Sequence, residues 1–425
     1  MTTNELAVPH AGRSGRVVRL ILGDDVPRAL WPILVISLMS ATTFTGVWGY
    51  IGVWAVTALH ASSGATGTMF LIYSMISAGT GWTGGALSDR IGRRNVMITG
   101  WSTASILILC LPLCAGNPAL GMSVAVLAMA TGSPATVASF AVVGDLAGED
   151  TKERAYAAAR VMSNVGSILG PPLAGLLLLG ENWSLFFLVF GVLGAITVTM
   201  VALLLSRTSA SAAKPATTGP AAHQRGALMS RGFLLLLAST LLGYFSYVAF
   251  VAVLPVTAVA DYHLPSSAWG LIFAVNPILV VLLQMRVTRA IVAVRMDRKL
   301  ALATLLMGLP FLLLLALPNV VGIVLVTSLF VFGEMAWAPS VEGLVVTMAP
   351  PEERGRAFGA YRGVGQAAMG LGPFVLFNLR SVGLHWVWPV VGAIALLGAA
   401  AGMLAARGWR GESYNSPGSR SEGIQ

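Results

Sequence analysis

The sequence predicts an all-α membrane protein of twelve transmembrane helices, arranged as two pseudo-symmetric six-helix halves with both termini cytoplasmic. Three observations predict it. First, of 425 residues 56% are hydrophobic and only 10% are charged, with a mean hydropathy of +0.80. A soluble chain carries about 25% charged residues, because its surface faces water. Second, apolar runs of roughly 20 residues, the length that spans a bilayer, recur along the chain. Third, 25 of the 26 Lys and Arg residues fall on one side of the resulting loops and only Arg380 on the other, the pattern that marks the cytoplasmic face.

The apolar segments run over 30–57, 63–88, 95–115, 119–144, 155–179, 183–206, 232–258, 267–286, 299–317, 320–348, 355–379 and 385–406. Segments longer than about 25 residues tilt or project beyond the hydrocarbon. The chain thus divides into a cytoplasmic segment 1–29, an N-terminal half 30–206, a linker 207–231, a C-terminal half 232–406 and a tail 407–425. The linker is rich in Ala, Ser, Thr, Pro and Gly, the composition of a flexible spacer. No cleavable signal pattern opens the chain, so no leader is expected to be removed. The halves repeat: a shift of 202 positions lays Arg154, Arg160, Gly170 and Pro171 onto Arg356, Arg362, Gly372 and Pro373. Six plus six helices joined by a polar linker describe a duplicated transporter with its site near the midplane, between the halves.

Net charge is +9, but the basic residues are scattered over loops with no interleaved aromatics, so nucleic acid is not expected as a partner. The expected partners are the lipid bilayer and a small-molecule substrate, and the expected state is a monomer. Cys110 and Cys114 lie inside an apolar run and read as small packing residues. All five histidines fall in tails, loops or helix ends, with no H-E-x-x-H, so neither an enzyme nor a metal site is expected. No cofactor is expected, the energy source being a proton gradient.

Two motifs carry specific information. The loop after the second segment reads Gly85-Ala86-Leu87-Ser88-Asp89-Arg90-Ile91-Gly92-Arg93-Arg94. Asp89 at a membrane edge is costly unless paired, and Arg90, Arg93, Arg94 and Asp145 are the nearest candidates. The fifth segment holds Gly166, Gly170, Pro171 and Gly175. Gly166, Gly170 and Ala174 form a small-residue stripe that lets a neighbouring backbone approach, and Pro171 removes one helix hydrogen bond and bends the helix. These residues resemble the major facilitator superfamily. The first motif matches its G-x-L-a-D-R-x-G-R-R signature, and the second is similar to the G-x-x-x-G-P-x-x-G-G signature of its twelve-helix drug:proton antiporters. The resemblance implies a gate network of Gly85, Asp89, Arg90, Gly92, Arg93, Arg94 and Asp145 between helices 2, 4 and 11. It also implies a leak-sealing fifth helix. Two features depart from the pattern: the first helix has no acid, and the fourth, around Ala128–Pro134, has no arginine. Arg160 and Arg362 are candidates for the missing arginine, with snorkelling to headgroups as the alternative.

Helix starts are expected at Asp150 with Glu153, a capping box, and at Pro350-Pro351-Glu352-Glu353. Acids deep in the membrane are functional candidates by default, and only Glu334 and Glu342 qualify, both in the tenth segment. Glu334, near mid-depth, is the first candidate for proton coupling and Glu342 the second. The resembling fold draws its cavity from helices 1, 2, 4 and 5 and their repeats. Candidate wall residues are therefore Trp48, Trp54, Tyr73, Arg160, Asn164, Tyr244, Tyr247, Phe250, Asn276, Gln284, Trp337, Arg362 and Gln366. Aromatics with a few amides suit a moderately apolar solute, although Trp and Tyr also gather at membrane interfaces. The expected function is proton-coupled efflux of a small drug, antibiotic or secondary metabolite by alternating access in a bacterial plasma membrane. The alternative is a proton-coupled importer of a small nutrient, which calls for charged pairs in the cavity.

Overall fold

The computed structural model describes residues 28–147, 152–205, 230–350 and 353–414. The N-terminal half comprises α1 (Trp31–Thr57), α2 (Ser63–Ile91), α3 (Arg93–Cys110), α4 (Pro118–Leu146), α5 (Lys152–Leu177) and α6 (Trp183–Leu204). The C-terminal half comprises α7 (Arg231–Val248), α8 (Ser266–Ala290), α9 (Met296–Gly308), α10 (Val320–Met348), α11 (Arg354–Val382) and α12 (Leu384–Tyr414). Each predicted apolar segment falls on one of these helices. The last runs on past 406, since propagating a helix adds one hydrogen bond for each residue fixed.

Among the described residues nine helices are long and apolar enough to cross a membrane, and α2, α5 and α11 are not among them. These three carry the two glycine motifs and the repeat of the second, so glycine and charge dilute their hydropathy. The helices nevertheless pack as long as their neighbours. Five starts are capped by side chains: Ser62, Asn117, Asn182, Ser230 and Asn319 each accept a backbone N–H from the first turn of the next helix, satisfying a donor with no helical partner. The start of α11, at Arg354, falls directly after the expected Pro350-Pro351-Glu352-Glu353. Glu353 has near-helical backbone (φ −103°, ψ −4°) and makes no capping bond; its carboxylate lies 3.5 Å from Arg356 instead. Asp150, Pro351 and Glu352 and the side chain of Glu153 lie outside the described residues.

Beyond Val248, α7 continues through π-helical turns at Ala249–Val253 and Thr257–Asp261. Between them Pro255 lacks an N–H and crowds the carbonyl four residues back, and the wider turns absorb the misfit.

The small-residue stripe of α5 packs on α1. A Cβ on Gly166 would overlap the Leu38 carbonyl, and one on Gly170 would lie 2.6 Å from the Thr42 carbonyl oxygen and 2.8 Å from the Gly46 nitrogen. These backbones touch because nothing larger than hydrogen intervenes. Gly170→Leu is expected to cost more than the roughly 1–3 kcal/mol of ordinary overpacking, because the atoms it meets are backbone. Size-exclusion chromatography in detergent should show loss of the monodisperse protein, whereas Gly343→Ala, which faces open space, should leave it intact.

The two halves meet at the end of the bundle where α1 turns into α2 and α5 into α6. There Tyr50 donates to the Ser266 carbonyl at 2.9 Å, and Glu181 accepts from the N–H (3.3 Å) and hydroxyl (3.0 Å) of Ser266. Arg380, the lone basic residue of its side, grips Asp261 through two bonds of 2.7 and 2.9 Å and also donates to the Ser63 hydroxyl. The ion pair lies wholly within the C-terminal half, so parting the halves breaks the bond to Ser63 without separating the charges. Beside it α5 crosses α8 at Gly175 and Gly270, where a Cβ on Gly175 would lie 2.6 Å from the Ser267 carbonyl oxygen.

Candidate functional site: a central cavity between the halves

Between the halves lies a cavity of about 570 Å³. From the N-terminal half α1 supplies Thr45, Trp48 and Gly49, and α5 supplies Arg160, Asn164, Ser167 and Ile168. From the other half come Tyr247 and Val251 of α7, Phe273, Asn276, Pro277, Val280, Val281 and Gln284 of α8, Glu334, Met335, Ala338, Pro339 and Glu342 of α10, and Met369 of α11. The Arg160 side chain is 68% exposed and that of Glu342 31%, so the cavity opens at the end remote from the closed seam.

Glu334 accepts a 2.7 Å bond from the Asn276 amide. This polar partner holds the carboxyl in place without supplying a counter-charge. Eight residues on, Glu342 faces Arg160 across the cavity at 3.7 Å, an ion pair that joins the two halves. Gln284 donates to the Met335 carbonyl at 3.0 Å and to the Thr288 hydroxyl at 3.1 Å. The Met335 carbonyl needs such a donor because Pro339, four residues on, has no N–H to offer it.

Eight sequence candidates therefore share one cavity: Trp48, Arg160, Asn164, Tyr247, Asn276, Gln284, Glu334 and Glu342. The others lie elsewhere. Tyr73 packs behind Trp48 in a tilted contact at a centroid distance of 4.7 Å, against a small side pocket with Phe70 and Met129. Tyr244 and Trp337 pack edge to face at 5.2 Å, Trp337 buried over Gly243 and Tyr244 over Gly365. Trp54 is buried against Phe187, and Phe250 is stacked on Phe330 at 4.4 Å. The Gln366 carbonyl accepts from Ser74 across the closed seam at 2.6 Å. Arg362 is exposed outside the cavity wall. Aromatic residues on α7 and α10 point both inward and sideways, and composition alone does not separate the two faces. The wall residues that sequence reasoning passed over are chiefly Thr45, Ser167, Phe273, Pro277, Pro339 and Met369; Pro277 and Pro339 inside apolar segments were the readable signal.

The first motif brings two of the expected gate residues together. Arg93 at the start of α3 pairs with Asp145 at the end of α4 at 2.5 Å. Arg94 turns away, donating to the carbonyls of Leu205 (2.9 Å) and Ala202 (2.6 Å), where a cation meets the negative end of α6. Its guanidinium thereby ties the start of α3 to the end of α6. Gly92 has φ 88°, a conformation that glycine adopts without penalty, and it lets α2 turn into α3 in a single residue. Arg90 is exposed; the side chain of Asp89 and position Gly85 lie outside the described residues. The second motif is divided: Gly166 and Gly170 serve packing within one half, while Gly175 and the Pro171 carbonyl meet α8 of the other. Among the described residues no cluster of three potential metal ligands occurs.

A fold with two helical halves around a central cavity is shared with known transporters. A POT family transporter in complex with 5-aminolevulinic acid superposes with a TM-score of 0.75 at 15% identity, covering 90% of this chain and 96% of that one. The peptide transporter POT in complex with sulfate gives 0.75 at 17%, covering 90% and 95%. The nucleoside transporter NupG gives 0.71 at 14%, covering 90% and 99%. At these identities the likeness concerns the fold. No curated protein matches the sequence. The Major Facilitator Superfamily model matches residues 33–373; the chain belongs to that superfamily and is a multi-pass membrane transporter.

Proposed function

We propose that the protein is a proton-coupled efflux transporter of a bacterial plasma membrane, a monomer that moves a small, moderately apolar compound by alternating access. In this reading all twelve helices cross the bilayer and both termini and the cavity mouth are cytoplasmic, so the present arrangement faces inward. The observation that carries the proposal is Glu334, a carboxyl on the cavity wall whose bound partner is the neutral Asn276. An intramembrane acid without a counter-ion is the residue type that takes up and releases a proton. The antiporter-like α5 supports export, since Gly175 lets α5 and α8 close tightly on the outer side.

Arg160 and Glu342 favour a second reading, proton-driven import of a polar nutrient. A charged pair facing the cavity is what such a solute requires, and the peptide and nucleoside transporters that share the fold fit it. Accumulation of a panel of dyes, antibiotics, peptides and nucleosides in efflux-deficient cells separates the two. Export predicts several-fold lower accumulation of at least one compound when the protein is expressed, reversed by a protonophore. Protonophore-sensitive higher accumulation would replace export by import, and no change with any compound would sink both.

A further inference from the structure

Besides Pro255, which lies between the π-helical turns that continue α7, five prolines sit inside the cavity-forming helices: Pro171 and Pro172 in α5, Pro277 in α8, Pro339 in α10 and Pro373 in α11. Each lacks the N–H that the carbonyl four residues earlier would accept in a regular helix. Those carbonyls belong to Ser167, Ile168, Phe273, Met335 and Met369, and all five residues line the cavity. In a membrane helix a carbonyl freed by proline must find its donor in a neighbouring side chain, water or ligand. Gln284 supplies one to Met335; among the described residues no side chain donates to the other four.

Phe273 lies one helical turn from Asn276 on the same wall, and Asn276 binds Oε2 of Glu334, which leaves Oε1 for another donor. The wall that holds the carboxylate thus also carries a residue, Phe273, whose carbonyl has lost its helical donor. We propose that it selects a substrate whose ammonium carries N–H donors, a primary amine on an aromatic or apolar body. Glu334 takes the charge, and the freed Phe273 carbonyl takes an N–H. A quaternary ammonium has the same charge and gains the same attraction to the faces of Trp48 and Tyr247, but it has no N–H. The two classes therefore differ in the one property that the freed carbonyls read.

The assignment rests on this cavity being the transport site, but its test is equilibrium binding and needs no transport. Titration calorimetry on the purified full chain would compare tryptamine with its N,N,N-trimethyl analogue, at a pH where both are cations. Wild type should bind the primary amine at least about tenfold more tightly, the scale of one hydrogen bond to a charged group. Pro277→Ala returns an N–H to the Phe273 carbonyl and should shrink that ratio several-fold with the quaternary probe unchanged. Pro339→Ala should leave the ratio alone, because Gln284 already serves Met335. Equal affinities in wild type, binding of neither probe, or a ratio indifferent to Pro277→Ala would overturn the proposal; if Pro277→Ala does not fold, the wild-type ratio decides. Selective binding by a protein that moves neither probe across a vesicle membrane would sustain the assignment and overturn the transport reading instead.

Discussion

Glu334→Gln is expected to abolish proton-driven accumulation while leaving substrate-for-substrate exchange at saturating concentration. One charge moving through 100 mV releases about 2.3 kcal/mol, enough to hold a roughly fifty-fold concentration gradient. A neutral amide keeps a side chain of the same shape beside Asn276 and cannot carry the proton, so the gradient should fall to about one. The readout is a pair of assays on the same proteoliposomes: uptake driven by an imposed proton gradient, and counterflow with substrate on both sides. Loss of the first alone identifies Glu334 as the coupling residue. A variant that keeps the full gradient removes Glu334 from that role and moves the question to Glu342. Loss of both in a folded, monodisperse protein would confine Glu334 to substrate binding or packing and take the coupling role from it.

How much of this was legible in the sequence differs by level. Helix positions were readable because a membrane span requires a long apolar run, and only the ends shifted, as where α12 continues to Tyr414. Glu334 and Glu342 were readable by elimination, since an acid at mid-depth is too costly to be incidental. Facing was not readable. Tyr244 and Tyr247 are three residues apart on α7, yet Tyr247 lines the cavity and Tyr244 is wedged between Trp337 and Gly365. The apolar face of a membrane helix meets lipid, partner helices or cavity, and hydropathy does not distinguish them. Arg160 stood at the boundary: either snorkelling or facing the cavity was open, and its pairing with Glu342 depends on a contact between halves that no local pattern encodes. Arg94 shows the same limit: its guanidinium meets the carbonyls at the end of α6, a contact between helices that its motif does not encode.

With the cavity mouth cytoplasmic, as proposed, Gly270→Ala is expected to hold the outer end of the transporter open. In the closed seam a methyl group there would overlap the Pro171 carbonyl and lie 2.9 Å from the Tyr50 hydroxyl and 3.1 Å from the Gly175 Cα. These atoms belong to the other half, and two of them are backbone, so relief comes from parting the halves rather than from a rotamer change. An overpacking cost of about 1–3 kcal/mol falls on the inward-facing state alone, since the clash disappears once α5 and α8 separate. The conformational equilibrium should therefore shift by roughly fivefold to more than a hundredfold towards the outward-facing state. A reporter is available at Gly49, which lines the cavity and has open space at its Cβ position. In a Cys110→Ser, Cys114→Ser background, Gly49→Cys should react with an impermeant maleimide from outside at least about fivefold faster when Gly270→Ala is added. Gly343→Ala, with no neighbour within 4 Å, serves as the control and should leave the rate unchanged. Contacts within each half are untouched, so the protein should remain monodisperse while net transport falls. Labelling that does not change would mean that the α5–α8 crossing persists through the cycle, and would place the outer opening at the Arg380–Ser63 contact between α11 and α2 instead.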